Sequence, residues 1–349
     1  MRNPPPEVMA TWPKPNYVNP EYQGPAMPII GIVFLAISVI VVTLRLFVRI
    51  HMKRSAGYDD WLMLATMPFI VAVTVSTILG THYGWGVHIW DNKPEWSSPS
   101  RLTSWLSQLF FIIIMTLVKL SILSSYIRIS STQSKRRNNF NRLSWLMCFF
   151  VLAWGIAFLI AVCTACSPLD HYWVALTEET CQNESARLMG ATISNIITDL
   201  IVLVLPIPTF WSLRLPIRER LVLIAMMSLG LIACAASIVR CYYTYVTTDL
   251  TYDVSWYGYT LWLWFALETN LAVICASIPT LRPFAKKYFP KLGFKQSTFP
   301  SQYGTQLGSQ QPGIFKEHTI QQVIEHNSST EELNSERHEY PMSPIRSHY

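Results

Sequence analysis

Two adjacent carboxylates, Asp59 and Asp60, precede a long apolar run in the segment GYDDWLML. Two carboxylates in contact can share a proton and act as a catalytic acid–base pair. They can also begin a helix, because the unpaired backbone N–H groups and the positive dipole at a helix start favour negative charge. The apolar run that follows favours the helix start, and the nearby basic stretch from Arg49 to Arg54 is predicted to bind the two carboxylates.

Four further charged residues, Lys119, Asp199, Arg240 and Glu268, lie inside long apolar runs. Charges at bilayer depth are costly and are usually paired or functional. Depths estimated at about 1.5 Å per residue make two pairs compatible, Lys119 with Asp199 and Arg240 with Glu268. Asn195 precedes Asp199 by four residues and therefore shares its helical face. These five residues are predicted to form either a ligand, ion or switch site, or a structural clamp that fixes helix packing.

Other site chemistry has little support in the sequence. The motifs H-E-x-x-H, G-x-S-x-G and G-x-G-x-x-G and the P-loop are absent. The cysteine spacing does not suggest zinc, and the long apolar runs contain no histidine. A retinal protein of the microbial type would need a lysine in the last apolar run, which has none. We therefore predict no enzyme activity, no catalytic residue, no cofactor and no bound metal.

The composition is typical of a helical membrane protein. The chain is 51% hydrophobic and 14% charged, whereas soluble domains carry about 25% charged residues. Spanning helices need roughly 20 mostly apolar residues. Seven runs qualify, at 27–50, 59–81, 104–129, 142–165, 187–211, 219–246 and 258–281. The sequence thus predicts an all-α membrane protein with a seven-transmembrane helix bundle.

The distribution of basic residues predicts the orientation. Arginine and lysine concentrate in the loops that an outside N-terminus would leave in the cytoplasm. The N-terminus is therefore predicted outside and the C-terminus inside. Residues 1–26 become an extracellular proline-rich segment, residues 27–283 the bundle, and residues 284–349 a basic juxtamembrane segment with a disordered cytoplasmic tail. The net charge is +6, and the basic residues that produce it flank the apolar runs. The predicted partner is therefore the lipid bilayer and not nucleic acid.

The loop between the fourth and fifth runs carries two kinds of candidate covalent modification. Cys166 and Cys181 lie in a compartment that permits disulfides, and we predict a bridge, with two unpaired thiols as the alternative. The triplet Asn183-Glu184-Ser185 makes Asn183 a predicted glycosylation acceptor. Both features agree with the outside position of this loop. The predicted location of the protein is the plasma membrane.

Three histidines, His82, His88 and His171, lie in the predicted outer loops near Asp91 and Asp170. This pattern allows a metal or pH-sensing role. Scattered surface histidines without a function are the commoner interpretation.

Several ordered motifs together show a family resemblance. They are GYDDWLML, HYGWGVHI, LVKLSILSSYIRI, CSPLDHYW followed by CQNES, NIITDLIVLVLPIPTFWSLRLP and LETNLAVICASIPTLRP. In this order they resemble the fungal rhodopsin domain, a family of fungal seven-transmembrane proteins, over about residues 29–289. That family includes Pth11-like orphan receptors and membrane proteins of mycotoxin gene clusters, and its name does not imply retinal.

The resemblance implies an orphan receptor that senses an extracellular or surface cue and signals through heterotrimeric G proteins. Its unknown small-molecule or surface ligand would enter from outside and be bound by Asp199, Glu268 and neighbouring aromatic residues. The cysteine-rich outer domain of some receptor members is absent from the first 26 residues. Two alternatives remain: a transporter in which Asp199 and Glu268 carry charge, and an accessory protein of a secondary-metabolite gene cluster.

Overall fold

The computed structural model describes residues 4–131, 138–174, 181–207 and 217–288. Within these residues the chain forms seven long helices, each long and apolar enough to cross a membrane. They are α1 (Ala26–Phe47), α2 (Tyr58–His82), α3 (Ser97–Ser131), α4 (Asn138–Cys163), α5 (Glu184–Val204), α6 (Ile217–Tyr245) and α7 (Val254–Tyr288). The predicted all-α architecture with seven spans is confirmed. The predicted disordered tail lies outside the described residues.

Several helix ends differ from the predicted ones. α3 begins at Ser97, before the predicted start at 104, because a polar first turn precedes the apolar run. α5 ends at Val204, before the predicted end at 211, since Pro206 lacks the N–H that would continue the helix. α7 continues to Tyr288 and thus past the predicted end of the bundle at 283. Hydropathy locates the apolar part of a helix but not the polar turns that extend it.

α3 and α7 are the central helices of the bundle. α3 packs against α2 over the most extensive interface and also contacts α4, α5 and α7, while α7 contacts α1, α2, α3 and α6. Ile70, Val118 and Val273 are buried where α2, α3 and α7 meet. Large apolar side chains such as Ile40 of α1 and Phe149 of α4 are exposed on the outer surface. An apolar surface of this kind is suited to lipid, and the chain is an integral multi-pass membrane protein.

The two ends of the bundle differ in chemistry. We call the end that carries Cys166 and Cys181 the disulfide end, and the end that carries Asp59 and Asp60 the aspartate end. The N-terminal segment, residues 4–25, packs across the disulfide end. Its last residues contact α7, where the Tyr259 hydroxyl donates to the Gly24 carbonyl at 2.8 Å.

Candidate functional site

Lys119 of α3 is buried against the polar face of α5. Its Nζ lies 3.1 Å from Asp199 Oδ1, and it donates to Asn195 Oδ1 at 2.8 Å and to Thr198 Oγ1. The ring of Trp154 in α4 lies 5.0 Å from the same Nζ. An ammonium group has three N–H donors, so these contacts satisfy it within the bundle.

Asn195 connects this ion pair to a second carboxylate. Its Nδ2 donates to Asp199 Oδ2 at 3.0 Å and to Glu268 Oε1 at 2.9 Å, while its Oδ1 accepts from Lys119. The side chain is fully buried. Its two donor positions and its acceptor are therefore all used, and each partner belongs to the predicted group of five residues.

Arg240 of α6 holds the other end of the group. Its Nε donates to Glu268 Oε2, and its Nη2 lies 3.3 Å from Glu268 Oε1. Its Nη1 donates to Thr192 Oγ1 at 2.9 Å, and the guanidinium lies 4.6 Å from the ring centre of Phe111. We call Lys119, Asn195, Asp199, Arg240 and Glu268 the polar chain, which joins α3, α5, α6 and α7.

One hydroxyl partner of the polar chain, Thr192, was not identified from the sequence. It lies three residues before Asn195, so helical spacing alone could have placed it on the same face. Trp154 and Phe111 were also missed. Their approach to the two cations depends on how helices pack, and no local pattern in the sequence indicates it.

A cavity opens into the disulfide end and reaches the polar chain at Arg240. It encloses about 550 Å³, part of it open to the outside. Trp262 contributes an indole N–H that is buried and has no acceptor among the described residues. The wall is otherwise mostly apolar, with scattered hydroxyl and amide groups and one carboxylate, and includes Trp85, Gln108, Glu184, Leu188, Thr192, Thr244, Thr247, Val254, Leu261 and Phe265.

A second cavity lies on the other side of the polar chain, toward the aspartate end. It encloses about 800 Å³ and is lined by Lys119 and Asp199 together with apolar residues of α3, α5, α6 and α7. Asp199 is 21% exposed, whereas the side chains of Arg240 and Glu268 are almost fully buried. The polar chain therefore separates the two cavities. Asp199 lines the aspartate-end cavity and not the disulfide-end cavity. The two carboxylates predicted to bind a ligand, Asp199 and Glu268, therefore do not face the disulfide-end cavity together.

Asp59 and Asp60 are both buried and bind three arginines. Arg45 of α1 lies 2.9 Å from each carboxylate, through Nη2 to Asp59 and through Nε to Asp60. Arg49 Nη2 lies 3.2 Å from Asp59 Oδ2, and Arg128 Nη1 of α3 lies 3.2 Å from Asp59 Oδ1. We call these five residues the aspartate cluster.

The aspartate cluster also begins α2 and ties it to α7. Asp60 Oδ2 accepts from the Gly57 N–H at 3.1 Å, which is the contact of a helix start. Arg45 donates through Nη1 to the Ala276 carbonyl of α7 at 2.8 Å. Arg45 is fully buried and falls inside the first apolar run, but it was not among the buried charges predicted from the sequence. The rule that intramembrane charges are paired could have identified it.

The loop between α4 and α5 contains the predicted bridge, since Cys166 and Cys181 form a disulfide. Tyr172 in the same loop donates to Glu184 Oε1 at 2.6 Å. Burial, together with the nearby Glu184 carboxylate, raises the pKa of the Tyr172 hydroxyl. This phenol therefore stays protonated and continues to donate at physiological pH.

Asn183 precedes α5 and its Oδ1 accepts from the Ala186 N–H at 3.2 Å. The residue is exposed. Its role as a glycosylation acceptor stays a prediction.

The histidines do not form a metal site in the described part of the chain. No group of three His, Cys, Asp or Glu residues there could hold a metal ion. His82 packs edge-on against Tyr83, whereas His88 lies between two indole rings beside Asp253.

Comparison with known proteins identifies relatives over most of the chain. A family model described as the fungal rhodopsin domain matches residues 44–287. The chain is 28% identical to "Receptor GIN3" of Arthrobotrys oligospora over 292 residues, which are 80% of this chain and 67% of that protein. No solved structure matches the chain.

Two other relatives are similar at comparable identity. The chain is 28% identical to a "SAT4 family membrane protein" of Emericella nidulans over 225 residues, 62% of this chain and only 54% of that protein. It is 25% identical to "Polyenoic acids biosynthesis gene cluster protein Ba17b" of Metarhizium anisopliae over 316 residues, 84% of this chain and 83% of that protein.

Proposed function

The chain belongs to the fungal rhodopsin domain family, and from this premise we propose that it is a receptor-like protein of the plasma membrane. The disulfide end faces outside and binds the cue, and the aspartate end faces the cytoplasm. The bias of basic residues toward the loops of the aspartate end supports this orientation. One named relative is called a receptor and another a membrane protein, which supports a function without catalysis.

The observation that carries the proposal is the disulfide-end cavity and its contact with the polar chain. Ligand sites are concave and mostly apolar, with a few placed polar groups. The cavity combines the rings of Trp85, Trp262 and Phe265 with the Arg240 guanidinium. The free indole N–H of Trp262 calls for an acceptor. The ligand is thus a small, largely apolar molecule that carries a hydrogen-bond acceptor.

The polar chain provides a route from the cavity to the cytoplasmic side. A ligand that displaces Arg240 from Glu268 changes the contacts of α6 with α7 and, through Asn195, those of α5. A signal requires an element whose two arrangements differ in ligand affinity, and the polar chain is that element. The basic loops that follow α3 and α5 would then receive a heterotrimeric G protein.

Nucleotide exchange measures this function directly. The purified chain in lipid nanodiscs would be mixed with a fungal heterotrimeric G protein, and uptake of GTPγS by the α subunit followed. Glu268→Gln should raise basal exchange several-fold, because it releases Arg240. Glu95→Gln, at an exposed site of the disulfide end, should leave it unchanged. No G-protein contact for the native chain or any variant would refute the receptor proposal.

A carrier is the second candidate, favoured by the two cavities on opposite sides of the polar chain. Carriers expose a central site to each side in turn. Proton or solute flux in proteoliposomes that is lost in Asp199→Asn would favour the carrier over the receptor.

The similarity to Ba17b supports a third candidate, an accessory protein of a biosynthetic gene cluster. Deletion of the gene followed by metabolite profiling tests it. Unchanged metabolites together with a lost response to an external cue would favour the receptor.

A further inference from the structure

A small chamber adjoins the disulfide-end cavity and shares part of its wall. Trp85, Ser104 and Trp262 line both spaces. The chamber lies among α1, α2, α3 and α7 and encloses about 170 Å³, part of it open. Its other lining residues are Met27, Ser76, Thr77, Gly80, Thr103 and Ser107. We call this space the hydroxyl chamber, because five of its nine lining residues carry a hydroxyl group.

The hydroxyl groups come from one face of α2 and one face of α3. Ser104 and Ser107 lie three residues apart and therefore share a face of α3, while Ser76 lines the same space from α2. Thr77 and Thr103 each donate to a carbonyl of their own helix at 2.8 Å, which is a common bond for a hydroxyl inside a helix. The three serine hydroxyls, in contrast, make no hydrogen bond within the described part of the chain.

Trp262 adds a fourth polar group without a partner to the same space. Its indole N–H is buried and has no acceptor among the described residues. Trp262 is only 6% exposed, and the three serines are 5% exposed or less. Buried polar groups normally have a partner, because an unpaired one costs free energy. Four such groups around one space therefore indicate an occupant that supplies hydrogen bonds.

The charge of the hydroxyl chamber limits the chemistry of this occupant. None of its nine lining residues carries a charge, and Glu184 and Arg240 line only the disulfide-end cavity. A charged group would lose its hydration in the chamber without gaining an opposite charge, which is costly. A hydroxyl or carbonyl oxygen is neutral and can accept from the Trp262 N–H and from a serine hydroxyl together. The chamber is therefore suited to a small neutral oxygen-containing group.

We propose that the hydroxyl chamber receives the polar end of the ligand, and that this ligand is an apolar alcohol or ketone. The Trp262 N–H donates to the ligand oxygen, and Ser104 and Ser107 complete its hydrogen bonds. The apolar body lies in the disulfide-end cavity beside Phe265 and extends toward Arg240. The inference rests on the function proposed above, since it concerns the ligand of the same cavity.

Magnetic resonance of the indole N–H groups tests the inference on the purified full chain in lipid nanodiscs. Isotope labelling at tryptophan gives one indole signal for each ring, and Trp262→Phe identifies the Trp262 signal by its disappearance. Cyclohexanol and cyclohexanone are the probes, since they share an apolar ring and differ in whether the oxygen is a hydroxyl or a carbonyl. Methylcyclohexane and cyclohexanecarboxylate are the matched apolar and anionic controls.

The expected result is a saturable downfield shift of the Trp262 indole proton, because this N–H gains an acceptor. A shift with both oxygen probes would show that the ligand oxygen need only accept, and a shift with cyclohexanol alone would show that it also donates. Methylcyclohexane should bind about tenfold more weakly or worse, as loss of a hydrogen bond to a buried unpaired donor would give. Cyclohexanecarboxylate should not shift the Trp262 signal.

Two further variants locate the oxygen in the hydroxyl chamber. Ser107→Ala removes one chamber hydroxyl with little change in volume and should weaken cyclohexanol binding about threefold or more. Trp61→Phe, at an exposed site of α2, should bind cyclohexanol as the native chain does. The rise in melting temperature with cyclohexanol measures the same affinities, so the test does not depend on how well Trp262→Phe folds.

Several outcomes would overturn the inference. A Trp262 signal that neither oxygen probe moves would indicate a chamber that holds water only. An equal shift with methylcyclohexane, a shift with cyclohexanecarboxylate, or an unchanged affinity in Ser107→Ala would also contradict it. No G protein is present in this test. A chain that binds cyclohexanol but never contacts a G protein would refute the receptor proposal and leave this inference standing.

Discussion

Asn195 and Glu268 are joined by a hydrogen bond of 2.9 Å from the Asn195 amide to the Glu268 carboxylate. Because Asn195 also contacts Lys119 and Asp199, this one bond turns two separate ion pairs into a continuous polar chain. Networks of this kind can contribute more than the sum of their pairs. Asn195 is thus the residue on which communication between the two pairs depends.

Asn195→Ala should therefore lower stability strongly. It removes one hydrogen bond each from Lys119, Asp199 and Glu268, although each keeps its ion-pair partner. A buried polar group left short of a hydrogen bond costs about 1–3 kcal/mol in typical proteins. Thermal unfolding of the purified chain in detergent measures the loss. Thr43→Ala is the control, since within the described part of the chain this exposed hydroxyl bonds only to the Val39 carbonyl of its own helix. Equal melting temperatures for the two variants would contradict the network role.

Arg45→Met should reduce the amount of folded protein more than Arg128→Met does. Arg45 is fully buried against both aspartates, and loss of one partner of a buried pair costs about 3–5 kcal/mol. Arg128 is 34% exposed at its side chain, so water replaces part of its contact. Surface level and melting temperature are the measurements. A smaller loss for Arg45→Met would show that the aspartate cluster does not hold the helices together.

The double variant Asp59→Ala with Asp60→Ala should likewise impair folding or surface delivery more than ligand binding. Both carboxylates lie at the aspartate end, remote from the disulfide-end cavity. Surface biotinylation and signalling would be measured in the same cells. Normal surface levels with lost signalling would indicate a switch in place of a helix start.

Gly258→Ala should distort the disulfide-end cavity. A Cβ at this position would lie 1.9 Å from Trp85 Cζ3, which must move, and overpacking of this kind costs about 1–3 kcal/mol. Gly190→Ala is the matched control within a helix, because its Cβ would meet nothing within 4 Å. It should stabilise the chain by about 0.5–1 kcal/mol. Melting temperatures that shift in the same direction would contradict the packing around Trp85.

Variants of Asn183 test both the orientation of the chain in the membrane and the capping of α5. Asn183→Gln should remove a glycan and weaken the helix start, whereas Asn183→Asp should remove the glycan but keep the cap, which is worth about 1 kcal/mol. Gel mobility before and after glycosidase treatment, together with melting temperature, distinguishes these effects. A native chain with no glycan in a eukaryotic host would count against an outside disulfide end.

The sequence was sufficient for those features that depend on one helix at a time. Continuous apolar runs predicted the seven spans, and depth and sign matched Lys119 with Asp199 and Arg240 with Glu268. What required the structure was the rotation of the helices about their axes. The contact of Asn195 with Glu268 and that of Arg128 with Asp59 join residues far apart in sequence, and tertiary packing alone decides which faces meet.

The polar chain has a consequence for how the protein is made. Its charges enter the membrane one helix at a time, and Glu268 in α7 is synthesised last. Until then Arg240 has no carboxylate partner from α7, and a lone charge at the centre of a span costs about 2.5–3.5 kcal/mol on insertion. α6 therefore depends on the arrival of α7 for stable integration. A chain that ends between these two helices would carry Arg240 in the membrane without its carboxylate partner.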